Sequence, residues 1–155
     1  MKYVNQYEFI TRTKEIIKQY ESVQVPQKEK YEVTLLINCL VGLLIVPQQK
    51  WYKVLPTEIV SETEWGIDAD NIICCKSGKK GERKTIRNVA KHLRNSISHY
   101  NFEVQKGNSG KIDNTKFKDF TDENKTTKTF EIVMSIVSLR KFTEKLTEFV
   151  LSKYA

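Results

Sequence analysis

Apolar side chains at Tyr3, Tyr7, Ile10 and Ile17 recur at helical spacing, so the pattern predicts a first helix ending near Ser22, before Pro26 interrupts any continuation. From Lys28 to Val46 the chain is apolar nearly all round, with Gly42 inside and Pro47 closing it. Such a helix is covered on most of its circumference, at the centre of a bundle or between a core and a second subunit. Residues 47 to 83 lose the pattern: Pro47, Trp51, Pro56, Trp65 and the run Ser77-Gly78-Lys79-Lys80-Gly81 predict turns and loops, with no long element. A third helix is predicted from Thr85, an N-cap, to about Tyr100, with Asn101 as its stop. The next stretch alternates. Phe102 and Val104 precede a turn at 107 to 110, Ile112, Phe117 and Phe120 lead to a polar turn at 122 to 125, and Phe130, Ile132 and Met134 follow. A last helix from Ser135 to about Lys153 sets Ile136, Leu139, Phe142, Leu146, Phe149 and Val150 on one side.

These elements predict a mainly α fold, a compact helical bundle of four main helices with a small β-hairpin or three-stranded meander before the last helix. A chain of 155 residues, 39% hydrophobic and 29% charged, forms a single domain over residues 1–155 and is large enough to bury its own core. Cys39, Cys74 and Cys75 lack C-x-x-C spacing and suggest neither a disulfide framework nor a zinc ribbon. Met1 to Ile10 has no apolar stretch or cleavage site of a signal peptide, and the fourteen apolar-rich residues Val33 to Val46 fall short of the roughly 18 to 20 that span a bilayer. A reduced, cytoplasmic protein without membrane association is expected.

Charge sharpens this picture because of where it lies. The formal net charge is +7, and residues 76 to 94 alone hold eight basic side chains against one acidic. Such concentration predicts a polyanionic partner, most naturally nucleic acid. Lys79, Lys80, Arg83 and Lys84 fall in the loop before the third helix; Arg87, Lys91 and Arg94 fall on it. Gly78-Lys79-Lys80-Gly81 has the G-x-x-G form of a KH clamp, but a first helix before it is missing, and the P-loop spacing is absent too. The segment reads as a flexible basic loop.

On a wheel of roughly 100° per residue, Ile86, Val89, Ala90, Leu93, Ile97 and Tyr100 make the buried face of the third helix. Arg87, Lys91, Arg94 and Ser98 form one column opposite it. Asn88, His92, Asn95 and His99 form another, so both histidines of the chain lie beside the cations. His92 reads as an exposed or hydrogen-bonded surface residue, and Asn95, one turn before His99, as the group that orients its imidazole. Roughly 140° separates Arg94 from His99 on an ideal helix, so they converge when the guanidinium wraps round the helix or a second subunit completes the site. A symmetric dimer with two copies of this helix face to face is therefore expected.

Arg94-Asn95-Ser96-Ile97-Ser98-His99 has the form R-x4-H with a polar residue after the arginine, and it resembles the motif of the HEPN ribonuclease superfamily. The apolar helix at 31 to 47, the Glu64-Trp65-Gly66-Ile67 loop and the hairpin with its closing helix look like the small plasmid-borne and defence-associated prokaryotic members. The resemblance implies a helical bundle that dimerises to bring two motifs into one RNA-cleaving site, of toxin or antiviral type, held in check by a cognate antitoxin or inhibitor protein. Some relatives are silenced by modification of a tyrosine in R-x4-H-x-Y. Here Tyr100 directly follows His99 and Asn101 takes the next place, which departs from that pattern.

The chemistry agrees with the resemblance. Cleavage by the 2′-hydroxyl needs a base, an acid for the 5′-oxygen and a cation for the charged phosphorane. Imidazole serves either proton-transfer role near neutral pH, and guanidinium donates to phosphate oxygens. Arg94, His99 and Asn95 are the expected catalytic residues; Arg87, Lys91, Ser98, Lys79, Lys80, Arg83 and Lys84 are the expected RNA-binding ones. No metal-ligand set or cofactor motif is seen. A catalytically silent module that binds RNA or a partner protein is the alternative.

Overall fold

The computed structural model of the chain describes residues 6–23, 32–45, 52–60, 64–108 and 112–154. Helix α1 runs Gln6–Ser22 and α2 runs Glu32–Leu40, prolonged by a π-helical turn Val41–Ile45. Strand β1 (Ile72–Cys75) precedes α3 (Ile86–Ser98), and β2 (Phe102–Lys106), β3 (Ile112–Phe120) and β4 (Lys128–Ser135) lead into α4 (Ile136–Tyr154). Tyr3, Pro26, Lys28, Pro47, Trp51 and the 109–110 part of the predicted turn lie outside the described residues.

The four helices occur where the periodicity places them, but the fold is α+β rather than a mainly helical bundle. All four strands form one antiparallel sheet in the order β1-β4-β3-β2. The meander at 102 to 135 is one part of it. The strand that enlarges the sheet comes from the stretch read as irregular loops: Ile72, Cys74 and Cys75 pair with Ile132, Glu131 and Phe130 across a register shift. A run of four residues is too short to show alternation, and β1 exists because the β4 edge supplies its hydrogen bonds.

Alternation on β3 and β4 then decides what the sheet faces. Thr115, Phe117 and Asp119 stand opposite Met134, Ile132 and Phe130, and all six are buried. The other face carries ion pairs, Lys116 with Glu131, Lys118 with Glu103 and Lys128 with Glu131. Helix α3 packs on β3 with Ile86, Val89, Ala90, Leu93 and Ile97 buried, while α4 packs against α1, α2 and the sheet. In α2 the expected wide coverage is present: Val33, Leu36, Ile37, Cys39, Leu40, Leu43 and Leu44 are all buried. Its π turn brings Gly42 against α1, where a Cβ would lie 2.6 Å from the Phe9 ring. The three cysteines are free thiols, and burial pushes Cys39 up to about 11.

Gly66 shows how tightly the 64 to 67 loop is held. Trp65 beside it packs on Phe142 and Phe149 of α4, with ring centroids 6.1 and 5.8 Å away. Gly66 has φ +75°, and a Cβ there would lie 2.8 Å from the Ser138 carbonyl oxygen and 2.7 Å from Lys141 Cβ. Gly66→Ala therefore adds a strained backbone to a clash, and should lower unfolding free energy by about 1 to 3 kcal/mol in urea titration. Unchanged stability would show that the loop can leave α4 freely.

Candidate active site

Helix α3 begins as its sequence dictates. Thr85 is the N-cap, extended in backbone, and its Oγ1 accepts the Asn88 N–H at 3.3 Å. Asn88 also ties the basic loop down, donating through Nδ2 to the carbonyl oxygens of Arg83 at 2.7 Å and Ser77 at 3.2 Å. The loop is thereby hung on the helix that carries the motif.

The other end of α3 is closed by a double backbone contact. Tyr100 N–H donates to Ile97 O at 3.1 Å and Asn101 N–H to Ser96 O at 2.7 Å, with Tyr100 at φ 54°. This left-handed position usually belongs to glycine, and here it turns the chain sharply into β2 with Tyr100 lying edge-on to Phe102. His99 is the C-cap, and its side chain is exposed. Its ring makes no hydrogen bond among the described residues. It lines a cavity of about 300 Å³ together with Asn101, Asp119, Phe120 and the β3–β4 turn residues Thr121, Asp122, Glu123 and Lys125.

Arg94 is half-buried. Its Nε and Nη2 donate to Asn95 Oδ1 at 3.1 and 2.7 Å, and its guanidinium carbon sits 5.0 Å from the Tyr52 ring centroid. Tyr52 is fixed in turn, its hydroxyl donating to Ala90 O at 2.8 Å. Burial pushes that phenol up, against the pull of Arg94, so it stays a neutral donor. Asn95 does not orient His99 as its spacing predicts. Its Oδ1 holds Arg94, and its Nδ2 donates to Asp119 Oδ2 at 2.9 Å.

The residue that sequence reasoning misplaced is His92. It is 2% exposed, not a surface residue, and its ring lies flat on Phe130 with centroids 4.6 Å apart. Nδ1 is 2.7 Å from Asp119 Oδ2, and Nε2 is 2.7 Å from Ser77 Oγ. Asp119 completes its shell with the Phe120 N–H, which donates to Oδ1 at 2.9 Å. Burial alone would raise the Asp119 carboxyl, but the hydrogen bonds from His92, Asn95 and Phe120 outweigh it and hold the group below its ordinary value. Asp119 was legible in principle: it shares the inward register of Thr115 and Phe117, and an inward carboxylate on a strand demands a partner.

The cations divide by what they touch. Arg87 donates to the carbonyl oxygens of Leu55 and Lys53, with Nε to Leu55 O at 3.0 Å and Nη2 to Lys53 O at 2.8 Å, so its guanidinium is spent on the 53 to 55 turn. Arg83 reaches Gly78 O at 3.4 Å and Lys84 reaches Ala69 O at 3.0 Å. Lys79, Lys80, Lys91 and Ser98 are exposed, and their side chains make no hydrogen bond among the described residues. Among those residues no three His, Cys, Asp or Glu side chains group as a metal site, and no helix is long and apolar enough to cross a membrane.

The chain belongs to the HEPN family described as HEPN pEK499 p136, whose model matches residues 1–155. HEPN domains are often ribonucleases. No curated protein and no solved structure matches the chain.

Proposed function

We propose that this chain is a metal-independent endoribonuclease of toxin or antiviral type, working as a homodimer in which two copies of α3 contribute to one site. The observation that carries the reading is the contrast within the motif: His99 is exposed on a cavity with its ring uncommitted, while Arg94 is held in a defined pose by Asn95 and Tyr52. An exposed imidazole and a fixed cation, both carried by α3, are two of the groups that 2′-hydroxyl attack uses, and a second copy of the helix brings them together.

One His99 takes the 2′-hydroxyl proton, the His99 of a second copy protonates the departing 5′-oxygen, and Arg94 neutralises charge on the phosphorane. Lys79, Lys80, Lys91 and Ser98 hold the RNA backbone from the exposed side, with Arg83 and Lys84 adding charge to the loop. RNA rather than DNA follows from the need for a 2′-hydroxyl.

Purified protein is expected to cut single-stranded RNA in excess EDTA, leaving 2′,3′-cyclic phosphate or 3′-phosphate ends, and to sediment as a dimer. Cleavage that EDTA abolishes, or 5′-phosphate ends, would exclude this mechanism. A monomer that binds RNA without cutting it would support a silent binding module instead.

A further inference from the structure

The hydrogen bonds that hold Arg94 continue inward through side chains that the proposed reaction does not use. Asn95 Oδ1 takes two N–H groups of Arg94, so its Nδ2 must turn toward the sheet, where Asp119 Oδ2 accepts it at 2.9 Å. An amide can sit in two senses. Here the sense is dictated from both sides, since guanidinium only donates and an ionised carboxylate only accepts. The same Asp119 oxygen accepts the Nδ1 proton of His92 at 2.7 Å, and His92 cannot swing away because Phe130 covers its face and Ser77 Oγ meets Nε2 at 2.7 Å. Asp119 also forms part of the wall of the cavity that His99 lines. One carboxylate on β3 thus reaches Arg94 through Asn95 and shares a cavity wall with His99, although the arginine and histidine leave α3 in different directions.

We propose that Asp119, buttressed by His92, is a positioning residue of the ribonuclease site: it fixes the amide sense of Asn95 and thereby the angle at which Arg94 presents its guanidinium to phosphate. This rests on the ribonuclease reading above. Arg94 Nη1 makes no hydrogen bond among the described residues, so that edge is the one left for substrate. Ser77 ends the chain of bonds in the loop that bears Lys79 and Lys80, so the RNA-holding loop and the reacting cation share one framework.

The test uses the full chain in EDTA with one RNA oligonucleotide, comparing wild type, Asp119→Asn, Asn95→Ala and the double variant. Asn at 119 keeps the shape but replaces one acceptor with a donor, which faces either the Phe120 N–H or the donors of His92 and Asn95. Each single variant should lose about 10- to 100-fold in kcat with KM nearly unchanged, as expected for a misaimed group. The double variant should be no slower than the slower single variant, because both act on Arg94 by one route. Rates are taken per folded molecule, well below the melting transition, so lost stability alone would leave kcat at the wild-type value. Asn95 is only half-buried, so Asn95→Ala keeps the comparison usable if Asp119→Asn folds poorly. Wild-type kcat in both single variants, or losses that multiply in the double variant, would overturn the positioning role while leaving the ribonuclease reading in place. An inert wild type would overturn both.

Discussion

His99→Ala is expected to abolish RNA cleavage and to leave the fold intact. In the proposed dimer of two copies of one helix, the same residue would supply the base from one copy and the acid from the other, so a single substitution would remove both proton transfers. Each such transfer contributes about 10²- to 10⁴-fold, and losing both takes the rate to the background of the assay. The cost to folding is small. The His99 side chain is exposed, its ring makes no hydrogen bond among the described residues, and what is lost is its interaction with the C-terminal end of α3, worth at most about 1 kcal/mol. Circular dichroism and melting should therefore match wild type while product formation stops. Arg94→Ala should approach the same loss of rate. If His99→Ala cuts RNA as fast as wild type, the imidazole at the end of α3 has no part in the chemistry.

The helices of this fold were legible because each has a long apolar stripe. Thr85 was recognisable as a cap, and α4 by Leu139, Phe142, Leu146 and Val150, all buried. The size of the sheet was not, because β1 is four residues long and owes its conformation to a partner sixty residues away in sequence. The site divides in the same way. Arg94 and His99 stand out as a motif on one helix, whereas the setting of Arg94 depends on Tyr52 and Asp119, which come from other parts of the chain. Local spacing gave Asn95 and His92 roles on the surface of α3. Packing against β3 and β4 gave them different ones, because the sheet presents Asp119 and Phe130 to that side of the helix. Helical periodicity reports which face is apolar; it does not report which polar residues at the edge of that face find a buried partner.

His92→Ala should be the most destabilising single change at the site, by about 3 to 5 kcal/mol. It empties a slot against Phe130 and leaves the Asp119 carboxylate buried without its closest partner. Against a total of about 5 to 15 kcal/mol for a domain, such a loss brings the chain near unfolding at physiological temperature. The pH dependence separates the charge from the cavity. In the wild type the folded Asp119 carboxyl lies below its ordinary value, so it stabilises the fold at every pH above the ordinary Asp range of about 4, and that stabilisation disappears as pH falls through the folded value. Without His92 the carboxyl loses the strongest of the hydrogen bonds that lower it, so its folded value moves up relative to wild type. The gap in unfolding free energy between the two proteins should then be widest near neutrality and narrow on acidification, as first the variant and then the wild type binds a proton at Asp119. What persists at low pH is the cavity alone. A gap that stays constant in urea titrations from neutral to acid pH would mean that His92 serves only to fill space, and that the carboxylate beneath Asn95 does not depend on it.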